Sequence, residues 1–216
     1  MRKATSAVVA VAALAACMQA APKSEQTTAE ASARAAAPAP ITPAVKVDVT
    51  EATFGCIRNM TPVRGFYVSN IFGNIDDTLK AANSSSGGVY PPGSIVQLVP
   101  TEAMVKREIG FNPATRDWEF FELVVSPTET KINVRGSTEV VNRFGGNCLS
   151  CHAQAKPEWD MICEQTHGCT PIPVTPLMAK AIQNTDPRCE KMDLPPDQAE
   201  ALRQLAAALG ARPAAN

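Results

Sequence analysis

The chain has 216 residues, which suffices for one compact domain but not for two large ones. Its charge is nearly balanced, with 20 Lys plus Arg against 21 Asp plus Glu, and this argues against nucleic acid or anionic lipid headgroups as partners. Aromatic residues make up only 5% of the chain, and much of the 45% apolar content is alanine. The packing core is therefore small, so that covalent staples and a large apolar cofactor would stabilise it.

The N-terminus has the pattern of an export signal, predicted over residues 1–17. Arg2 and Lys3 precede an uncharged stretch, 4–16, that is too short to span a bilayer. A small apolar triplet then leads to Cys17, which resembles the bacterial lipoprotein signal, whose cysteine becomes the lipid-bearing N-terminus. We predict lipidation of Cys17, with ordinary cleavage shortly after it as the alternative. Both place the mature protein outside the cytoplasm, in the periplasm of a Gram-negative bacterium, with membrane contact only through the lipid.

Three further regions follow the signal. Residues 18–45 are rich in Ala, Pro, Thr and Ser, contain no aromatic residue, and are predicted to form a flexible linker. The folded domain is expected over residues 46–195. A C-terminal helix and tail then occupy residues 196–216, with the helix itself predicted at 199–209.

The run Cys148–His152, with the sequence CLSCH, carries the chemistry. Two thiols three positions apart can each form a thioether to one porphyrin, and the adjacent His152 then lies under the iron. This spacing is the signature of c-type haem attachment, so the sequence predicts one covalent haem c held by Cys148 and Cys151. A redox dithiol is an alternative, although no βαβ pattern surrounds the motif.

The identity of the metal and that of a sixth iron ligand each have alternatives. Zinc is a second alternative to haem, for which Cys163, Cys169 and His167 are the best additional ligands. His167 could also be a sixth iron ligand, but the short connection to the motif favours a surface-loop histidine. Met178 and Met192 are the other candidates for that position, against the more frequent role of methionine as core filler.

The seven cysteines allow one consistent assignment. One would carry lipid and two would bind haem, which leaves four for two disulfides in an oxidising compartment. The close spacing of Cys163 and Cys169 favours a local bridge. Cys56 would then pair with Cys189, although four cysteines allow three connectivities.

The region before the motif predicts an α+β fold with the haem on an antiparallel sheet. A helix is expected at 71–82, and the segment after the motif reads as coil-rich up to the final helix. Strands are expected at 64–69, 94–100, 118–125 and 131–135, and the segment 104–109 either extends the sheet or caps it.

Four segments in this order resemble the cytochrome P460 and cytochrome c′-β family. They are Arg64-Gly-Phe-Tyr-Val68, Tyr90-Pro-Pro-Gly-Ser-Ile-Val96, Trp118-Glu-Phe120, and Cys148–His152 with Asp160-Met161. The resemblance implies a five-coordinate haem on an antiparallel sheet, usually in a homodimer. Its distal face would be free to bind nitric oxide or to oxidise hydroxylamine.

One departure from the family bears on the activity. In cytochrome P460 a lysine five residues after the turn glycine is cross-linked to the haem; counted from Gly93, this position holds Leu98, and the next lysine downstream is Lys106. The comparison favours binding of nitric oxide or a related small nitrogen species, with Leu98 lining the distal face. Hydroxylamine oxidation and a His/Met electron-transfer cytochrome with a redox partner protein are the alternatives, so whether the chain is an enzyme stays open.

Overall fold

The computed structural model describes residues 45–142 and 145–210. The predicted export signal, Cys17 and nearly all of the predicted linker lie outside the described residues, as does the tail after residue 210. Within the described ranges, none of the helices combines the length and hydrophobicity needed to cross a membrane.

A six-stranded antiparallel sheet forms the centre of the described fold. The strands pair in chain order, so each inner strand lies between its two neighbours in sequence. This confirms the α+β class and the antiparallel sheet. The strands are β1 (Thr61–Val63), β2 (Phe66–Asn70), β3 (Ser94–Gln97), β4 (Glu102–Lys106), β5 (Trp118–Val125) and β6 (Thr130–Gly136).

One helix lies between β2 and β3 in the sequence, and the other three follow β6. They are α1 (Ile75–Ala82), α2 (Cys148–His152), α3 (Pro176–Asn184) and α4 (Pro196–Gly210). Short 3₁₀ turns occur at Glu51–Thr53, Ile57–Asn59, Pro113–Thr115, Pro157–Trp159 and Gln165–His167. The α3 and α4 helices pack on each other around Val174, Ala179 and Leu205.

Both faces of the sheet are buried, because side chains alternate along each strand and different segments cover the two sides. Val68, Val96, Met104 and Phe120 are neighbours across β2 to β5, and they pack with α1 and α2. We call this side the motif face. The opposite face packs against the N-terminal segment through Val47, Val49, Phe54, Ile95, Val105 and Phe121.

Two disulfides join Cys56 to Cys189 and Cys163 to Cys169, which is the pairing that the sequence favoured. The first closes 133 positions of sequence and ties the start of the domain to its end. The second closes a loop just after α2. Cys148 and Cys151 are the free cysteines among the described residues.

The structure corrects the sequence prediction at three elements. The helix predicted at 71–82 begins only at Ile75, because Gly73 has a φ of 76° that no helix continues. The strand β1 was missed, since it has three residues with a proline at its centre. The expected coil after the motif contains α3, which Thr175 caps by accepting a hydrogen bond from the Met178 N–H and which starts with Pro176.

Candidate functional site

The CLSCH motif forms α2, a single helical turn that packs on the motif face. Asn147 caps the turn, because its side-chain oxygen accepts a hydrogen bond from the Ser150 N–H at 3.0 Å. The Cys148 N–H donates to the carbonyl of Val140, a residue buried in the same core cluster. Cys148 and Leu149 also pack against that cluster. These contacts fix the direction of the turn relative to the sheet.

The two motif thiols are half-buried and are not bonded to each other. Burial raises the pKa of Cys148 to about 12, and the nearby carboxylates of Glu102 and Glu122 add to the shift. A reactive dithiol needs the opposite shift, since its attacking thiolate forms at a lowered pKa. The environment of Cys148 therefore argues against the dithiol interpretation.

The imidazole of His152 is held in one orientation by a backbone carbonyl. Its Nδ1 lies 2.7 Å from the carbonyl oxygen of Met161. Because a carbonyl only accepts, Nδ1 carries the hydrogen and Nε2 keeps the lone pair. Burial lowers the pKa of His152, which favours the neutral imidazole. The ring lies 5.2 Å from the ring of Phe120, measured between centroids, so the imidazole lies against the sheet.

The carbonyl that orients His152 belongs to a buried segment. Asp160, the residue before Met161, accepts hydrogen bonds from Lys106 Nζ at 2.8 Å to each carboxylate oxygen. Burial lowers the pKa of Lys106 and raises that of Asp160, and each charge opposes the shift of the other. Lys106 is thus held in an ion pair on β4. This pair could not be predicted from the sequence, because its partners are 54 positions apart. The only local cue was a lysine at the end of an apolar strand.

The structure contradicts the zinc interpretation. Cys163 and Cys169 are bonded to each other, so neither offers a thiolate. Across residues 45–142 and 145–210 there is no group of three or more His, Cys, Asp or Glu residues able to hold a metal ion. The disulfide lies beside the motif, with Cys163 Sγ 3.1 Å from the carbonyl oxygen of Cys151.

His167 is not the surface histidine that the sequence favoured. Only 4% of it is exposed, since its ring stacks on Trp159 with 3.8 Å between centroids. Its Nδ1 lies 2.7 Å from the carbonyl oxygen of Ile162 and donates to it. His167 therefore lies in the loop that the Cys163–Cys169 disulfide closes, with its ring packed against Trp159.

The two candidate methionines lie in other parts of the fold. Met178 packs between α3 and α4, in a cluster separate from the one that contains Cys148. Met192 is 43% exposed, and its Sδ lies 3.3 Å from Nη1 of Arg58. Leu98, the predicted distal residue, directly follows β3 and is 36% exposed, and its carbonyl accepts a hydrogen bond from Gln183 Nε2.

The described residues thus bring together two unpaired thiols and one oriented imidazole on a single helical turn, which fits covalent haem attachment. Comparisons of the chain with protein-family models, curated proteins and solved structures found no match.

Proposed function

We propose that the chain is an exported c-type cytochrome with one haem. Cys148 and Cys151 would form the two thioethers, and Nε2 of His152 would be the axial ligand. The observation that carries the proposal is the hydrogen bond from Nδ1 of His152 to Met161, because it leaves the Nε2 lone pair free on the same turn as both thiols. The bound haem would supply an iron centre able to bind small ligands or exchange one electron.

We further propose an open distal position that binds nitric oxide or a related small nitrogen species. Neither Met178 nor Met192 packs in the core cluster with α2, which disfavours these two residues as the methionine ligand of a His/Met electron carrier. The motif face is apolar at Val68, Val96 and Phe120. Buried apolar side chains next to the site favour a small neutral ligand over a polar substrate. Leu98 is the proposed distal lining residue.

Hydroxylamine oxidation is the weaker alternative. In the family that the sequence resembles, this activity goes with a lysine bonded to the haem. Lys106 is buried and donates to Asp160 and to the carbonyl of Arg116, so it is engaged within the protein. This arrangement disfavours a covalent bond from Lys106 to the haem.

The remaining parts of the proposal follow from the sequence. They are membership of the cytochrome P460-like family, a lipid anchor at Cys17, a periplasmic location, a possible redox partner protein and a homodimer. Mass spectrometry of the mature N-terminus and light scattering of the purified protein test the anchor and the dimer.

The deciding experiment is the optical spectrum of the purified, reduced protein with and without nitric oxide, beside the pyridine haemochrome of the denatured protein. We expect a haemochrome with two thioethers, and a high-spin ferrous spectrum that changes when the gas is added. The double variant Cys148→Ala/Cys151→Ala is the matched control and should lose the haem on denaturation. A sharp low-spin spectrum that ignores the gas would favour the electron carrier, and a wild type without haem would refute the proposal.

A further inference from the structure

Two left-handed turns built from non-glycine residues lie close to the site. Arg116 and Asp117 have φ of 50° and 65°, and Asp160 and Met161 have φ of 47° and 66°. Two consecutive non-glycine residues in this conformation are strained. Such strain persists only where surrounding contacts stabilise the conformation.

Lys106 joins the two turns. Its Nζ donates to the carbonyl of Arg116 at 2.7 Å and to both carboxylate oxygens of Asp160 at 2.8 Å. The side chains of Lys106 and Asp160 are only 7% and 2% exposed. At this burial the ion pair is weakly screened, and losing one partner leaves an uncompensated charge.

Trp118 and Tyr90 also donate hydrogen bonds to Asp160. The Trp118 Nε1–H donates to the backbone carbonyl of Asp160 at 2.7 Å, and the Tyr90 N–H donates to its carboxylate at 2.8 Å. The two rings pack edge to face, 5.5 Å between centroids. Both the side chain and the carbonyl of Asp160 are therefore fixed by buried donors on β4, on β5 and before β3.

The next residue, Met161, presents the carbonyl that accepts from Nδ1 of His152. The backbone of Asp160 sets where this carbonyl points, since the two residues form one turn. An oriented acceptor on Nδ1 makes an imidazole a more basic ligand. A turn held by three donors thus ends at the carbonyl that orients His152.

We propose that Lys106, Asp160 and Trp118 are positioning residues that set the strength of the His152–Met161 hydrogen bond and, through it, the donation from His152 to the iron. This inference rests on the proposed haem attachment. Stronger donation stabilises ferric iron, so the intact cluster keeps the reduction potential low. The opposing possibility is that the cluster only stabilises the fold.

The test compares the haem-loaded wild type with Asp160→Asn, which keeps the side-chain shape but removes the ion pair, and Trp118→Phe, which removes one donor. The measurements are the midpoint reduction potential and the iron–histidine stretching frequency of the ferrous protein. In both variants we expect a higher potential and a lower stretching frequency, with the smaller shift in Trp118→Phe. If Asp160→Asn does not fold, the Trp118→Phe result decides.

Asp186→Asn is the matched control, because it also removes one partner of a buried ion pair, with Arg188, outside the core cluster that contains α2. It should lose stability without a shift in potential. Unmoved potentials in Asp160→Asn and Trp118→Phe, or an equal shift in the control, would overturn the inference alone. A wild type that yields no pyridine haemochrome would overturn the proposed function as well, so the two failures are distinguishable.

Discussion

The guanidinium of Arg188 lies against the carboxylate of Asp186, with Nη2 and Oδ2 2.8 Å apart, and both side chains are buried. Arg188 also donates to the carbonyls of Phe54 and Pro100, and Asp186 accepts from the Ile57 N–H. The pair therefore joins the end of the domain to its first residues and to the loop after β3, beside the Cys56–Cys189 disulfide.

This pair should make stability depend on acid. Burial would raise the pKa of Asp186, but hydrogen bonds from Arg188 and Ile57 outweigh it and lower the pKa. Since the folded state then binds the proton more weakly than the unfolded state, the contribution is present above about pH 4 and is lost as the pH falls through the lowered pKa. In urea at neutral pH, Asp186→Asn should be less stable by about 3 kcal/mol. This difference should shrink on acidification, and a difference independent of pH would contradict the assignment.

The two disulfides should contribute unequally to stability. In the loop-entropy account, a bridge over 133 positions stabilises by about 5 kcal/mol and one over 6 positions by about 2 kcal/mol. We therefore expect Cys56→Ser/Cys189→Ser to lower the free energy of unfolding more than Cys163→Ser/Cys169→Ser does. Denaturant titration of the two double variants measures this. A reversed order would mean that the short bridge acts mainly on the folded state.

The methionine packing predicts a spectroscopic result. Met178→Leu and Met192→Leu should leave the visible spectrum of the reduced protein unchanged, because neither residue packs in the cluster with α2. Met178→Leu should also cost less than about 1.5 kcal/mol, since leucine conserves the apolar volume between α3 and α4. Loss of a low-spin spectrum in either variant would identify that methionine as an iron ligand.

Each thiol of the motif should contribute one separable bond. Cys148→Ala and Cys151→Ala should each retain haem through the other thioether, and the pyridine haemochrome of each should move towards that of a haem with one free vinyl group. Leu149→Ala, which keeps both thiols, is the control and should give the unshifted haemochrome. An unshifted spectrum in Cys148→Ala would show that Cys148 forms no thioether.

Much of the sheet was readable from the sequence because its strands have local signals. The run Trp118–Val125 combines aromatic and β-branched residues, and β5 has these bounds. Helix α1 was placed too early, because apolar spacing at Ile71 and Phe72 continues through Gly73, where the backbone does not. Helix α3 was missed although Thr175-Pro176 is a regular helix start, since the preceding residues are rich in Pro and Thr.

Only part of the site could be predicted from the sequence, because only part of it is local in the chain. The CLSCH spacing is local, so the residues proposed for haem attachment could be named from the chain alone. The contacts that orient His152 are less local: Asp160 and Met161 form one turn after the motif, and Lys106 reaches that turn from β4 only through the tertiary fold. The buried position of His167 likewise depends on the Cys163–Cys169 loop and on stacking with Trp159.

Among the described residues, the sequential order of the strands makes β1 and β6 the two edges of the sheet. At one edge, β1 has only three residues and a central proline, which lacks the N–H that a further strand would need. At the other, β6 carries exposed Lys131, Asn133 and Arg135, a row of polar side chains that discourages strand addition. Neither edge therefore favours pairing with an edge strand of another sheet. Fibril growth by addition of strands to the described edges is therefore disfavoured.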